Sequence, residues 1–208
     1  MENDLNEKQI QILEVAETLF AEKGFDGTSI RDISKEAKIN VAMVSYYFGS
    51  KEKLLESLVL YKTSSLKELL IDLIDEQLEP VEKMYKLIDL YINRLNCNQG
   101  IYRILHFELA SKKRVLELDS FSDIKKTNLK SLEIIIREGQ AKGVFRKDIT
   151  IELLTPTILG IYFHFQMNKP FFEKLLDLNT EDEYNNYIKT TLTKHIQQTI
   201  KALLTYES

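Results

Sequence analysis

Residues 24–55 read GFDGTSIRDISKEAKINVAMVSYYFGSKEKLL, and the spacing of their apolar side chains decides the fold. Thr28 is a candidate N-cap for a short helix whose apolar residues recur three and four positions apart. Asn40 is the candidate N-cap of a second short helix that ends near Phe48. Residues 37–40 leave room for only a tight connection between the two. This pattern predicts a helix-turn-helix, whose second helix can enter the major groove of DNA.

The second of these helices has a surface without charge. Val44 and Phe48, four positions apart, form its inward face. Its other residues are uncharged: Val41, Ala42, Met43, Ser45, Tyr46 and Tyr47. The basic residues around the helix are Arg31, Lys35, Lys38, Lys51 and Lys53. Between positions 28 and 53 there are five basic residues and three acidic ones, so the segment is mildly positive, which favours contact with DNA phosphates.

Two stretches of this segment resemble a known family. GFDGTSIRDISKEA at 24–37 and VSYYFGSKEKLL at 44–55 are similar to the N-terminal domain of TetR-family repressors. The resemblance covers roughly residues 8–56, about a quarter of the chain. It implies that Thr28, Tyr47 and Lys51 contact phosphates. It also implies that a second set faces base edges and sugars, namely Val41, Ala42, Met43, Ser45 and Tyr46.

The sequence departs from the family pattern at three positions. Lys38 stands in the turn where the family usually has glycine, and a residue with a side chain is expected there at some backbone strain. Ala42 replaces a common glycine, and Ser45 replaces a frequent tyrosine. These differences bear on which DNA sequence is bound more than on the fold.

The composition of the whole chain is that of a helical protein. Its 208 residues include seven glycines and three prolines, too few for the frequent turns of a β-sandwich or barrel. Helical periodicity continues almost throughout and predicts an all-α fold of about nine helices. Residues 168–170, Asn-Lys-Pro, are expected to end one of them. One cysteine, no apolar run long enough to span a membrane and a polar N-terminus are typical of a cytoplasmic protein.

We expect two domains. Residues 1–50 form a helix-turn-helix DNA-binding domain, residues 51–208 form a larger helical ligand-binding and dimerisation domain, and a fourth helix at about 51–78 links them. The resemblance implies a homodimer formed by the last two long helices, each of which carries an apolar stripe. The stripes are Ile158, Ile161, Tyr162 and Phe165, and Ile188, Leu192, Ile196 and Ile200. Alternatively, both stripes belong to the core of a single chain.

A ligand pocket is expected among the central helices of the second domain. Polar and aromatic residues at inward positions are its candidate lining: Tyr91, Cys97, Tyr102, Arg103, His106, Phe107, Tyr162, His164 and Gln166. Arg103 and His106 share a helix face, which suits an anionic or polar ligand. For each residue taken singly, the sequence favours an ordinary packed or hydrogen-bonded position in the core over a place in the pocket.

The sequence offers little for catalysis. It has three histidines and one cysteine, and it lacks the P-loop, His-Glu-x-x-His and Gly-x-Ser-x-Gly motifs. The Glu-x-x-His motif of di-iron helical bundles is absent too, because Arg103, Ile161 and Leu192 stand three positions before the histidines. We therefore predict no enzymatic activity, no catalytic residues, no metal site and no cofactor.

Two functions remain at this point. The first is a ligand-responsive transcriptional regulator, a repressor by family default, that binds an inverted-repeat operator in double-stranded DNA as a homodimer and is released by a small-molecule effector. The second is a helical sensor or adaptor without DNA binding. It is favoured by residues 1–60, where seven basic against eleven acidic residues give a net charge of −4. DNA affinity measured at two salt concentrations separates the two.

Overall fold

The computed structural model describes residues 5–111 and 119–205. In these residues the chain is helical, without strands, which confirms the predicted all-α class. The helices are α1 (Glu7–Lys23), α2 (Ile30–Glu36), α3 (Val41–Phe48), α4 (Lys51–Asp75), α5 (Pro80–Cys97), α6 (Gln99–Ser111), α7 (Asp119–Ala141), α8 (Leu154–Met167), α9 (Lys169–Leu175), α10 (Glu181–Tyr187) and α11 (Thr193–Leu204).

Two irregular turns accompany the regular helices. A 3₁₀ turn at Ile151–Leu153 leads into α8, and a π-helical turn at Ile188–Leu192 joins α10 to α11. The last helix is therefore continuous from Glu181 to Leu204, close to the single helix predicted there. Counted in this way, the described residues contain ten helices, and the short α9 accounts for the difference from nine.

The described residues fall into two compact units. The first lies within Met1–Ser65 and Asn98–Ile124, and the second within Leu66–Cys97 and Lys125–Ser208. The helix α4 is continuous across the division at residue 65. The functional boundary predicted near residue 50 stays a prediction.

The core of the first unit draws on five helices. Buried residues of α1 to α4 pack with Ile101, Ile104 and Leu105 of α6. The guanidinium of Arg103 donates a hydrogen bond to the carbonyl of Ala21 at 2.9 Å, so α6 is tied to the C-terminal end of α1. The helix-turn-helix therefore shares one hydrophobic core with a helix that follows it by about fifty residues.

The second unit is built around the buried face of α5. Leu87, Ile88 and Ile92 are buried there, and α5 contacts α11. The buried ammonium of Lys83 donates to the carbonyl of Ile74 at 2.7 Å and to the Glu138 carboxylate at 3.0 Å. The Glu138 pKa is lowered, first by the hydrogen bond from Lys83. A buried cation is tolerated here because it has both a counter-charge and a carbonyl partner.

The two stripes predicted for a dimer interface lie mainly in this core. Seven of the eight residues are buried within the single chain: Ile158, Tyr162, Phe165, Ile188, Leu192, Ile196 and Ile200. Ile161 is half-buried. Because side chains covered by their own chain cannot touch a second copy, the assignment is corrected, and the intrachain alternative holds, for Ile158, Tyr162, Ile188, Ile196 and Ile200. Phe165 and Leu192 also line an open groove, and their assignment to the interface stays a prediction.

Among the helices that the structure describes, none is both long enough and apolar enough to cross a bilayer.

Candidate nucleic-acid interface

Local capping sets the start of α2 and α3. The hydroxyl of Ser29 accepts a hydrogen bond from the Asp32 amide, and the hydroxyl and amide of Ser29 donate to the Asp32 carboxylate at 2.6 and 2.9 Å. This capping box lowers the pKa of Asp32, chiefly through the hydroxyl bond. The side chain of Asn40 accepts from the Ala42 amide and begins α3, as predicted. The N-cap of α2 is Ser29, one residue after the expected Thr28.

The outer face of α3 is available for contact. Val44 and Phe48 are buried as predicted. Tyr46 is 84% exposed and Val41 is 39% exposed, both well above what apolar side chains usually show. Ala42 and Ser45 are exposed as well, and Met43 is half-buried. The residues predicted to face base edges thus lie together on the free side of one short helix.

Tyr47 lies between this surface and the core. Its ring is half-buried and makes edge contacts with the rings of Tyr46 and Phe48, at centroid distances of 5.4 and 6.4 Å. These contacts hold the two tyrosines as a pair. The predicted phosphate contact of Tyr47 stays a prediction.

Thr28 has a structural role instead of the predicted phosphate contact. Its side chain is 1% exposed, and its hydroxyl lies 2.9 Å from the carbonyl of Gly24 and 3.1 Å from that of Leu19. A hydroxyl that is buried and donates to main-chain carbonyls cannot reach a phosphate. The side-chain contact predicted for Thr28 is therefore corrected: the residue closes the loop between α1 and α2.

Lys51 is engaged in the same loop. Its ammonium donates to the carbonyls of Phe25 and Thr28, both at 2.8 Å, and lies 4.3 Å from the centroid of the Phe25 ring. Two of its three N–H groups are thus used within the chain. The lysine clamps the α1–α2 loop to the first turn of α4, which leaves at most one N–H for the predicted phosphate contact.

Four other basic side chains around α3 are exposed. In the described part of the chain, none of them takes part in a hydrogen bond or ion pair through its charged group: Arg31, Lys35, Lys38 and Lys53. These four supply unoccupied cationic groups next to the uncharged face of α3, whereas the ammonium of Lys51 is held by two carbonyls.

The candidates for the ligand pocket are divided between the two units, and their role as a lining stays a prediction. Tyr91 and Tyr162 are buried in the second unit, and the Gln166 amide donates to the Tyr162 hydroxyl at 3.0 Å. Tyr102 and Arg103 belong to the first unit. Cys97 and His164 are exposed, and the side chains of His106 and Phe107 lie outside the described ones.

Two interior polar atoms were missed by sequence reasoning. Asn128 on α7 is 9% exposed, and its side-chain oxygen has no hydrogen-bond partner among the described residues; the same is true of the hydroxyl oxygen of Thr155. Buried polar atoms are usually satisfied, so these two are candidates to bind a ligand. No sequence pattern indicates them, because asparagine and threonine occur freely on helices.

A shallow groove lies on the outer side of α8 and α11. Its volume is about 590 Å³, and its lining carries no carboxylate, lysine or arginine. The lining residues are Gly160, Ile161, His164, Phe165, Phe172, Leu175, Leu176, Tyr187, Thr191, Leu192 and His195. Exposed apolar side chains continue beside it, with Met167 79% exposed and Phe171 60% exposed.

Comparison with known proteins agrees with this geometry. The family model "Bacterial regulatory proteins, tetR family" matches residues 12–58, and "Tetracyclin repressor-like, C-terminal domain" matches residues 80–200, more than half of the chain. The HTH-type transcriptional repressor NicS of Pseudomonas putida is 29% identical over 181 residues, which cover 83% of this chain and 82% of NicS.

Solved structures share the fold. The fatty acid degradation regulator FadR from Bacillus halodurans superposes with a TM-score of 0.77 at 21% identity, covering 96% of this chain and 97% of that one. FadR from Bacillus subtilis, solved with stearoyl-CoA, gives 0.72 at 22% identity and covers 93% and 97%.

These observations define a helix-turn-helix transcriptional regulator with an all-α body. The chain belongs to the TetR family of bacterial regulatory proteins. The predicted function, a ligand-responsive DNA-binding repressor, is confirmed in preference to an adaptor without DNA binding. Its relatives are transcriptional regulators, not enzymes.

Proposed function

We propose that two copies of this chain bind an inverted-repeat operator through α3 and that a small effector in the second unit lowers the affinity for DNA. The exposed face of α3, with Tyr46 84% exposed and no charged residue on the helix, is the observation that carries the proposal. Two such helices, about 34–36 Å apart, would enter successive major grooves on one side of the duplex.

The dimer is proposed to form through the groove on α8 and α11. Gly160, Thr191 and His195 line this groove together with Phe165 and Leu192 of the stripes, and the first three are exposed in the single chain. A Cβ atom on Gly160 would have no neighbour within 4 Å, so there is space in which a helix of a second copy can approach closely. The neighbouring apolar side chains, exposed in one chain, would be covered in the pair.

The effector is proposed to be largely apolar with a hydrogen-bonding group. On the buried face of α7, Asn128 precedes the apolar residues Leu132, Ile135 and Ile136. Asn128 and Thr155 both have polar atoms without partners. A long acyl chain with a polar end matches this composition, and the FadR structure from Bacillus subtilis was solved with stearoyl-CoA. Acyl-CoA thioesters are therefore the first class to test.

The proposed coupling between effector and DNA depends on α4. This helix is continuous from Lys51 to Asp75, and its residues contribute to both units. An effector that binds better to one arrangement of the second unit would shift the population toward it and change the spacing of the two α3 helices.

The experiment starts with duplexes selected from a random pool by the wild-type protein. We expect stearoyl-CoA to raise the Kd for the selected duplex at least tenfold, whereas free coenzyme A leaves it unchanged. Asn128→Ala should weaken the response to stearoyl-CoA. Ser131→Ala is the matched control, because its hydroxyl already donates to the Thr127 carbonyl at 3.3 Å. An acyl-CoA that leaves DNA affinity unchanged excludes this effector class, and failure to select any duplex at low salt contradicts the operator model.

A further inference from the structure

Lys38, in the turn between α2 and α3, has an unusual backbone conformation. Its φ is +53°, in the left-handed region that residues with side chains rarely adopt. Asp177, at +54°, is the other non-glycine with positive φ in the described residues. Aspartate tolerates this region because its short polar side chain can bond locally, whereas lysine gains no such bond.

The hydrogen bonds of the turn explain why this conformation is required. The amide of Ile39 donates to the Ser34 carbonyl at 2.9 Å, and the amide of Lys38 donates to the Lys35 carbonyl at 3.2 Å. These two bonds form the Schellman motif that ends α2, and Lys38 occupies the position that is normally glycine. The turn is also held from outside, because the Gln11 amide donates to the Ala37 carbonyl at 3.1 Å.

The side chain of Lys38 does nothing for the fold that would offset this strain. It is exposed, and in the described chain its ammonium has no hydrogen bond, ion pair or ring contact. Glycine would satisfy the same turn without strain. A strained residue whose side chain is free is a reason to look for an external partner.

The position of Lys38 indicates which partner. It lies two residues before Asn40, the N-cap of α3, and three and four residues before the exposed Val41 and Ala42. Thr28 and Lys51, which the family resemblance assigns to phosphates, are occupied in the α1–α2 loop. Neither residue therefore offers an unoccupied cation, whereas the turn presents one at the edge of the recognition surface.

We propose that Lys38 binds a backbone phosphate of the operator and anchors the N-terminal end of α3 beside the groove. This proposal rests on the DNA-binding function proposed above. The proposal assigns a side-chain contact with DNA to position 38. A glycine at this position has no side chain with which to make that contact. A phosphate contact fixes the register of α3 without reading bases, so its effect is the same on all duplex sequences.

The test compares three substitutions at one position. Lys38→Gly removes the charge and the strain, Lys38→Gln removes the charge and keeps the strain, and Lys38→Arg keeps both. DNA affinity is measured by fluorescence anisotropy on the selected duplex from 50 to 200 mM salt, and thermal unfolding is measured in parallel. Lys67→Gln, an exposed lysine on α4, controls for the change in net charge.

We expect Lys38→Gly and Lys38→Gln to bind three- to tenfold more weakly, with the slope of log K against log salt reduced by about one. Lys38→Arg and Lys67→Gln should bind as the wild type does. The midpoint of unfolding should rise for Lys38→Gly and stay unchanged for Lys38→Gln, so that affinity and stability move independently.

Three outcomes would overturn the proposal. Wild-type affinity and slope in both charge-removing variants would show that no phosphate is bound. Weaker binding by Lys38→Gly but not by Lys38→Gln would assign the effect to the backbone. If neither the wild-type protein nor Tyr46→Ala binds any duplex, the operator model itself fails, and the role proposed for Lys38 fails with it.

Discussion

The helices α3 and α8 both carry conspicuous apolar residues, but the residues that drew attention in the sequence are exposed on α3 and buried on α8. On α3, Val44 and Phe48 fill the core while Tyr46 and Val41 remain outside. On α8, the stripe of Ile158, Tyr162 and Phe165 is buried within the chain. The difference teaches that a periodic apolar stripe marks a core. Apolar residues left over on the other face of the helix mark a contact surface.

Truncating a stripe residue gives the largest expected effect. Ile196→Ala should lower the free energy of unfolding by about 2–5 kcal/mol, because Ile196 is fully buried and its loss leaves a cavity. Tyr46→Ala, on the exposed face of α3, should change stability by less than about 0.5 kcal/mol. Urea denaturation of both variants measures this. An Ile196→Ala protein of wild-type stability that no longer dimerises would restore the interface assignment for the stripe.

The proposed interface on the other face of α8 is tested by filling it. Gly160→Phe should leave the single chain folded, because Gly160 is exposed and a Cβ there meets no atom within 4 Å. It should weaken self-association and lower operator affinity about 10- to 100-fold, since two half-sites are held by one dimer. Sedimentation velocity and anisotropy report the two effects. Asn93→Phe adds the same ring at an exposed site on α5, and equal losses in both variants would rule out the groove.

Lys51→Ala has the next smaller expected effect. It distinguishes two roles for Lys51, holding the α1–α2 loop against α4 or binding a DNA phosphate. Loss of the two hydrogen bonds to Phe25 and Thr28 should cost about 1–2 kcal/mol of stability, since both carbonyls accept from a half-buried cation. As a clamp, Lys51 should affect DNA binding without changing the salt slope. If the slope of log K against log salt falls by about one while stability is unchanged, Lys51 contacts a phosphate instead.

Sequence reasoning succeeded where the determinants are local. The limits of α3 follow from Asn40 and Gly49, because a side-chain cap and a positive-φ glycine act on their own neighbours. The same reasoning could not find the partners of Lys51, because these carbonyls lie 23 and 26 residues away in sequence. Periodicity shows which residues share a face, but it does not show whether the same chain or a second copy covers that face.

Two further differences have local causes that the sequence leaves ambiguous. The helix α8 ends at Met167, as expected from residues 168–170, but Pro170 also lies in the first turn of the short α9, which was not predicted; a residue without an N–H fits both places. The π-helical turn at Ile188–Leu192 has no sequence signal. There the hydroxyl of Thr193 donates to the carbonyl of Ile188, five residues earlier, at 2.7 Å.

The smallest expected effects come from two aspartates, one in each unit, whose pKa values move in opposite directions. Hydrogen bonds from Ser29 lower the pKa of Asp32, whereas burial raises the pKa of Asp89, which accepts a hydrogen bond from the Gln197 amide at 3.0 Å. Asp32 therefore stabilises the fold above its unfolded pKa, near 3.9, and this contribution is lost as pH falls through the folded pKa. Asp89 favours folding only when protonated, so its contribution is lost as pH rises through its raised pKa.

Neutral substitutions at the two positions should therefore have opposite signs at pH 7. Asp32→Asn should destabilise, because the ionised cap is lost, and its difference from wild type should shrink below pH 4. Asp89→Asn should stabilise slightly, because an amide oxygen accepts from Gln197 without the cost of burying a charge. Its advantage should also disappear in acid, where the wild-type carboxyl is neutral. Urea denaturation at pH 7 and pH 3.5 measures both differences, and two variants that shift stability in the same direction at pH 7 would contradict the opposite environments assigned to these carboxyls.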